Sequence, residues 1–446
     1  MQYGFKKNFK LNGVQILSLG FLIAIFIGAI LLSLPISSSS GEATNFLDSL
    51  FTSTSAVCVT GLVILDTSSH WSTFGQTVIM TLIEIGGLGF MSFAVLISLI
   101  LGKKITLRER LVMQEAMNTY SIQGLVKMVR HVLIFTVSVQ FFGALLLSTQ
   151  FVPEYGISKG IFYSIFHSIS SFCNAGFDLF GRSLMGYTSN TVVILVISAL
   201  IIIGGLGFTV LLEIYEFKGI KKLSLHSKLV IITSLILIIG GTILIFLFEL
   251  NNKATFGSMN MQDKLLNSFF ASVSPRTAGF YSVVTTDMIM ASKFLTIILM
   301  IIGGSPGSTA GGLKTVTCGI LFLTVLSVIR GREDTEVFGR RFTKEVVYKS
   351  FTIVFIALTL VIGVTMVLSY TEVGASFIDL LYEATSALGT VGLTLGLTPK
   401  LSSIGKVLIM IMMYLGRVGP LTVMLALTRK KKKSGYKYPE GKVLIG

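Results

Sequence analysis

Four short segments carry residue types with which a backbone can bind a cation. They are Val59-Thr60-Gly61-Leu62, Asn174-Ala175-Gly176-Phe177, Thr277-Ala278-Gly279-Phe280 and Thr390-Val391-Gly392-Leu393. Only the glycine is common to all four, and the glycines lie 115, 103 and 113 residues apart. Each tetrad ends an amphipathic stretch of about a dozen residues, too short to span a bilayer, which needs about 20. A short helix descending into a membrane points its negative C-terminal end inward. Backbone carbonyls beyond that end face the axis. A ring of such oxygens replaces the hydration shell of a hard monovalent cation. Glycine is the residue that lets carbonyls converge, because it accepts φ > 0 and brings no Cβ.

A second glycine cluster follows each tetrad. Gly86-Gly87-Leu88-Gly89, Gly204-Gly205-Leu206-Gly207, Gly303-Gly304-Ser305-Pro306-Gly307 and Gly416-Arg417-Val418-Gly419-Pro420 begin 25, 28, 24 and 24 residues after the tetrad glycines. Two marks in register four times over define a repeat. The third cluster extends through Ser308, Thr309, Ala310, Gly311 and Gly312 to Leu313 and Lys314. A glycine in a helix costs about 1 kcal/mol and a proline about 3, so this stretch breaks its helix. A packing kink is one explanation. The reading favoured here is a loop inside a pore, Gly303–Lys314, that obstructs ions below the tetrads. Gly307–Gly312 with Lys314 also mimics a phosphate-binding loop, but with one residue too many and no preceding strand.

Arg417 stands inside an apolar run, where a basic residue is costly. Its five donors suit carbonyls and hydroxyls of the glycine loop, and a structural pairing with Glu84 or with loop carbonyls is the alternative. Glu84 is the one acid well inside such a run; its options are Arg417, another polar partner or a pore-facing role. Arg276 is expected to anchor its short helix to a carboxylate. Asp66 and Asp178 follow tetrads and are placed to draw cations to an outer mouth or to remain ordinary solvated charges. Cys58 and Cys173 occupy equivalent repeat positions and read as small packing residues.

The elements that must position these residues follow from composition. The chain has 446 residues, 52% hydrophobic and 13% charged, with mean hydropathy +0.83. A soluble domain averages about 25% charged. Apolar runs lie near 14–34, 74–101, 131–150, 191–215, 228–248, 292–328, 350–370 and 404–427. The first is too long for the core of a signal peptide and reads as a retained span. Basic blocks at Lys6–Lys10, Lys103–Arg130, Lys218–Lys228, Arg330–Lys349 and from Arg429 onward hold 26 of the 36 Lys and Arg. They alternate with acid-bearing loops, which puts both termini in the cytoplasm. The expected fold is an all-α polytopic membrane protein: four parallel helix–re-entrant pore loop–helix repeats around one central pore. The repeats divide as 1–102, 103–217 with a cytoplasmic linker, 218–330 with the intramembrane loop, and 331–446 with a basic tail. The amphipathic stretch Ile105–Arg130 fits a membrane surface or a cytoplasmic partner.

Three cysteines and four scattered histidines exclude a disulfide framework and a metal cluster. An enzyme at membrane depth needs clustered His, Asp or Glu, and only Glu84 and Arg417 are there. An alternating-access secondary transporter is the chief rival, but such folds typically carry inverted repeats and titratable midplane groups. No dinucleotide fingerprint or complete Walker motif occurs, so nucleotide control requires another chain.

Thr390-Val391-Gly392-Leu393 is similar to the filter sequence TVGYG of potassium channels. The four-unit pattern, with SPRTAGF and GGSPGSTAGGLKT in the third unit, resembles the Trk/Ktr/HKT superfamily of potassium transporters, most of all its KtrB-type membrane subunits. The resemblance covers essentially the whole chain. It implies potassium uptake across the plasma membrane, with the tetrads as selectivity filter and Gly303–Lys314 with Arg417 as gate. It also implies a homodimer with one pore per subunit, a KtrA-type cytoplasmic nucleotide-binding regulatory ring, and a role for sodium. No cofactor is expected in this chain itself.

Overall fold

The computed structural model describes residues 13–89, 125–216, 219, 222–257 and 259–419. The blocks Lys6–Lys10 and Arg429 onward, most of Lys103–Arg130 including the bulk of Ile105–Arg130, and the divisions at 102/103 and 217/218 lie outside the described residues.

One three-helix arrangement occurs four times. The first has α1 (Gly13–Ser33), α2 (Phe46–Val57) and α3 (Thr73–Leu88). The second has α4 (Leu125–Tyr155), α5 (Ile157–Cys173) and the bent pair α6 (Thr191–Gly205) and α7 (Phe208–Tyr215). The third has α8 (Leu225–Glu249), α9 (Met261–Val273), and α10 (Met290–Ile301) with α11 (Thr315–Ile329). The fourth has α12 (Lys344–Thr371), α13 (Phe377–Gly389) and α14 (Ser403–Val418). The opening helices α1, α4, α8 and α12 have the length and hydropathy to cross a bilayer. Their outward residues are large and apolar, for example Ile30, Phe141, Ile236 and Ile362.

In the first, second and fourth repeats the short helix packs between its neighbours; in the third, α9 packs on α8, which also carries α10 and α11. Between repeats, α3 packs on α5, α6 on α9, α10 on α13, and α14 returns to α2. The circle closes, so the short helices α2, α5, α9 and α13 are held in one ring. Their outer ends are fixed by caps in three repeats: Asn45, Asn260 and Ser376 accept from Leu47, Asp263 and Asp379 backbone N–H groups.

The outer ends of the closing helices are pinned to the opening helices. Glu249 accepts from the Ile289 N–H at 3.0 Å, and Glu372 accepts from the Ser402 N–H and hydroxyl at 3.0 and 2.6 Å. Asn190 donates to Gln150 at 3.0 Å, and the Ser72 hydroxyl donates to the Ile36 carbonyl at 2.6 Å. All four repeats thus use a polar tie at the start of the closing helix.

One expectation needs correction. The closing runs are not continuous helices. α6 and α7 meet at 104°, and α3 and α14 end at Gly89 and Gly419. Gly89, Gly207 and Gly419 have φ of 81°, 92° and 94°, a conformation that ends a right-handed helix and that glycine adopts freely. Only the third break, between Ile301 and Thr315, is the one expected. The all-α class holds, with one short addition: Glu336–Val337 and Arg340–Arg341 pair as an antiparallel hairpin, β1 and β2, in the basic loop before α12.

The first glycine of these clusters has a packing task. A Cβ on Gly86, Gly204 or Gly416 would lie under 3.0 Å from the carbonyl oxygen of Val57, Phe172 or Leu388. The closing helix therefore touches the last turn of its own repeat's short helix, backbone to backbone.

Candidate functional site

The four tetrads meet at the inner ends of the short helices, and their glycines form a closed ring. A Cβ on Gly61 would crowd the Ala175 carbonyl and Gly176; on Gly176, the Ala278 carbonyl and Gly279; on Gly279, the Val391 carbonyl and Gly392; on Gly392, the Thr60 carbonyl and Gly61. Each approach is under 3.0 Å at the carbonyl oxygen. The repeats follow one another around the ring in chain order.

Every tetrad has the same backbone. Its first residue is left-handed: Val59, Asn174, Thr277 and Thr390 have φ of 56°, 60°, 76° and 49°. The glycine two residues on is also positive, at 87°, 71°, 77° and 95°. For the first position this is a strained conformation in a non-glycine residue, costing about 1–3 kcal/mol, and such strain concentrates at functional sites.

The carbonyl oxygens of the first two residues in all four tetrads accept no hydrogen bond among the described residues. Those eight residues are 0–1% exposed. An orphaned buried acceptor costs about 1–3 kcal/mol, so eight together are a marked departure from ordinary packing. Side-chain oxygens add to the set. Thr60 Oγ1, Asn174 Oδ1, Thr277 Oγ1 and Thr390 Oγ1 are buried with no partner. The donor set is all oxygen and uncharged, which suits a hard monovalent cation.

A serine in each short helix or its end holds the tetrad in shape, and the sequence reading missed it. The Gly61 and Gly392 N–H groups donate to Ser55 and Ser386 Oγ at 3.0 and 3.1 Å. Ser170 Oγ donates to the Phe177 carbonyl at 2.8 Å, and Ser274 Oγ donates to that of Phe280. The signal was present: three of these serines stand six residues before the tetrad glycine and the fourth five before.

The segment Gly303–Gly312 lies directly beside the inner face of this ring. It is closed at its neck, with Gly303 N–H on the Leu313 carbonyl at 2.8 Å. A Cβ on Gly303 would meet Thr277 at 3.2 Å, and one on Gly311 would crowd the Thr390 side chain. Asn174 Nδ2 donates to Thr309 Oγ1 at 3.1 Å, and that hydroxyl donates to the Phe172 carbonyl at 3.0 Å. The loop therefore reaches three of the four tetrads. Its flank is fastened to the second repeat's helix break: Ser305 and Thr309 N–H groups bond the Gly205 and Gly204 carbonyls, and Phe208 N–H bonds that of Gly307. Ser308 bonds the Ser305 carbonyl and Ser305 meets Thr315 at 3.2 Å. A Cβ on Gly207 would lie 2.7 Å from the Pro306 carbonyl, while a Cβ on Gly304 would strike Ala310, and one on Gly312 would sit against Gly389.

Two cations hold the loop. Arg417 donates to the Thr309 carbonyl and to the carbonyls of Gly86 and Gly87. It thus joins the third repeat's loop to the first repeat's helix end from its own place in the fourth. Lys314 Nζ donates to the Ala310 and Gly311 carbonyls at 2.9 and 3.3 Å.

Other sequence candidates are placed differently. Glu84 does not pair with Arg417; it accepts from Gln140 Nε2 at 2.9 Å and from the Cys173 thiol at 3.3 Å. Arg276 does not reach a carboxylate. It donates to Ser234 Oγ at 3.1 Å, and its Nε has no partner. The physical reason is local: α8, which packs on α9, offers only hydroxyls at that depth. Cys58 and Cys173 are buried where short helices end. Asp66 binds the Ser68 and Ser69 N–H groups and Asp178 those of Phe180 and Gly181, so both fold their own loops, just beyond the first and second tetrads. Burial raises the Asp178 carboxyl to about 6, backbone N–H bonds from Phe180, Gly181 and Ser183 opposing it and the neighbouring Asp66 charge adding to it. At Asp66 burial also raises the pKa, but four hydrogen bonds from Ser68 and Ser69 outweigh it and the net shift is downward.

Comparison with known proteins identifies the family. A family model described as a cation transport protein, TrkH, matches residues 9–436. The chain is 48% identical to the potassium/sodium uptake protein NtpJ of Enterococcus hirae, with 98% of each chain covered. It is 43% identical to the Ktr system potassium uptake protein B of Bacillus subtilis, covering 97% of this chain and 96% of that one. The solved structure of the potassium transporter TrkH from Vibrio parahaemolyticus superposes with a TM-score of 0.74 over 96% of this chain and 87% of that one, at 19% identity, which is a likeness of fold. These relatives are uptake proteins rather than enzymes. Apolar helices of spanning length, four parallel repeats and a match over nearly the full chain lead to one assignment: this is a multi-pass membrane protein that belongs to the TrkH family of cation transport proteins.

Proposed function

We propose that this chain takes up potassium across the plasma membrane by channel-like conduction, using the tetrad ring as its selectivity filter. One observation carries the reading: a closed ring of four tetrads whose eight buried carbonyls have no hydrogen-bond donor among the described residues. Such oxygens are stabilised by a dehydrated cation, and a ring of neutral dipoles binds it without trapping it. The four tetrads share a backbone but not side chains, which supports sodium as a second, weaker occupant; the relative from Enterococcus hirae is named for both ions. Four parallel repeats about one axis favour conduction over alternating access.

In this reading Gly303–Lys314 is the gate and Arg417 its latch. The loop lies against the ring, and its fastenings come from three different repeats, so a relative movement of the repeats releases it. That movement is assigned to a KtrA-type cytoplasmic ring that binds nucleotide, docking on the basic side of a homodimer with both termini in the cytoplasm. The test is potassium uptake in a cell lacking its own potassium-uptake systems, with and without a co-expressed partner of that type. Growth and uptake that depend on this chain and rise with the partner support the reading. Absence of uptake by correctly inserted protein with the partner present would overturn it.

A further inference from the structure

His167 and Glu383 stand at the same place in two repeats, nine residues before Gly176 and Gly392. Both side chains are 0% exposed. Each holds the strand that runs outward from its own tetrad. His167 Nδ1 lies 2.7 Å from the Tyr163 carbonyl, which can only accept, so Nδ1 carries the proton. Nε2 is then the acceptor for the Leu179 N–H at 3.2 Å, three residues beyond Gly176. The ring is held flat against Phe180, with centroids 4.2 Å apart and planes at 16°. Glu383 accepts from Thr394 Oγ1 at 2.7 Å and Thr398 Oγ1 at 2.5 Å, two and six residues beyond Gly392.

The other two repeats have no such tie. Thr52 is the equivalent residue in the first, and its hydroxyl turns back to the Asp48 carbonyl of its own helix. Phe270 is the equivalent in the third and carries no polar group. Because the ring runs Gly61, Gly176, Gly279, Gly392 and back to Gly61, the two tied quarters face each other across the axis.

We propose that His167 and Glu383 are an opposed pair of positioning residues that set ion discrimination by fixing the outer strands of the second and fourth quarters. The inference rests on the reading of the ring as a filter. The first two carbonyls of each tetrad have no donors among the described residues to hold them, so their aim depends on the backbone at each end. The helix end holds the first residue of each tetrad, and the serine bonds hold its glycine or its fourth residue. The outer end is held by His167 and Glu383 in two quarters. With a tie removed, the outer peptides of that quarter turn, the oxygen ring loosens, and the smaller sodium ion loses less relative to potassium.

The test uses full-length protein in potassium-uptake-deficient cells, comparing potassium KM, maximal rate and sodium competition. His167→Phe keeps the flat ring against Phe180 and removes the acceptor. Glu383→Leu keeps the volume and removes both acceptors. Each is expected to raise the potassium KM roughly tenfold, the scale of one lost charge-assisted or buried hydrogen bond, and to weaken discrimination against sodium, with the maximal rate much less affected. Glu383→Gln, which retains an acceptor, restores most of the loss. Thr52→Val, at the untied equivalent position, leaves KM and discrimination unchanged. If Glu383→Leu does not accumulate in the membrane, Thr394→Val with Thr398→Val removes the same bonds from the other side and is expected to reproduce the loss. Unchanged KM and discrimination in folded His167→Phe and in either Glu383 test would overturn the proposal. Gly279→Ser in the same assay separates the two levels. If it alters discrimination while the anchor variants do not, only this inference fails; if it too is silent, the filter reading fails with it.

Discussion

The Arg417 guanidinium donates to the carbonyl oxygen of Thr309, 108 residues earlier in the chain and in a different repeat. The same guanidinium reaches Gly86 and Gly87 of the first repeat. One side chain therefore bridges three quarters of the protein at the depth of the glycine loop. Arg417→Ala is expected to raise basal potassium flux and to reduce the response to the cytoplasmic partner. Hydrogen bonds to a charged group are worth about 1.5–3 kcal/mol, so the closed state should lose roughly ten- to hundredfold in relative population. Flux measured without the partner checks it. An unaltered basal flux would remove Arg417 from gating.

Thr309→Val removes the hydroxyl that joins Asn174 to the Phe172 carbonyl. Basal flux should rise here too. Because Arg417 and Asn174 grip the same residue, the two effects should not add: a double-mutant cycle of Arg417→Ala with Thr309→Val is expected to show a coupling of about 0.5–3 kcal/mol. Independent effects would mean that the loop is held at separate points.

External acid should reduce uptake. In the proposed function Asp178 lies at the outer mouth, two residues beyond Gly176, and burial lifts its carboxyl to about 6. An acid with a raised pKa is neutral below that value and charged above it, so the mouth gains a negative charge as external pH rises through about 6. The pH profile of uptake at low potassium should show this step, and Asp178→Asn should flatten it at the acid-side level. A step that survives Asp178→Asn belongs to another group.

The closing-helix glycines give a stability prediction. Gly204→Ala places a Cβ under 3.0 Å from the Phe172 carbonyl, and overpacking of this kind costs about 1–3 kcal/mol. Gly240→Ala lies within α8 with nothing inside 4 Å, and a helical glycine replaced by alanine stabilises by up to about 1 kcal/mol. Thermal unfolding of the purified protein should move in opposite directions for the two. A Gly204→Ala protein as stable as the parent would refute the close-contact account.

Much of this was legible in the sequence because glycine is scarce in ordinary helices. Gly61, Gly176, Gly279 and Gly392 marked the ring, and the run from Gly303 to Gly312 marked the loop. Arg417 stood out because a cation in an apolar run must find acceptors. Single polar residues that do an ordinary-looking job in a short helix were not legible. Ser55, Ser170, Ser274 and Ser386 look like any small helix residue, and the equivalence of His167 with Glu383 emerges only once the ring gives them a common frame. Breaks at Gly89, Gly207 and Gly419 were hidden inside apolar runs long enough to be read as continuous. Arg276 was given a carboxylate by charge, whereas the fold brings it a hydroxyl; for Glu84 the sequence left Arg417, another polar group and the pore open, and the fold brings it an amide and a thiol.

The central claim is that the tetrad ring selects the ion, and single Gly→Ser substitutions at Gly61, Gly176, Gly279 and Gly392 test it most directly. Each glycine has positive φ, and each Cβ would meet a neighbouring quarter's carbonyl. The measurement is the ratio of potassium to sodium uptake, together with the potassium KM, for each variant present in the membrane at parental amount. The expected result is a weakened potassium affinity or a reduced potassium-to-sodium ratio in every one of the four. A ratio and KM unchanged in all four would contradict the account.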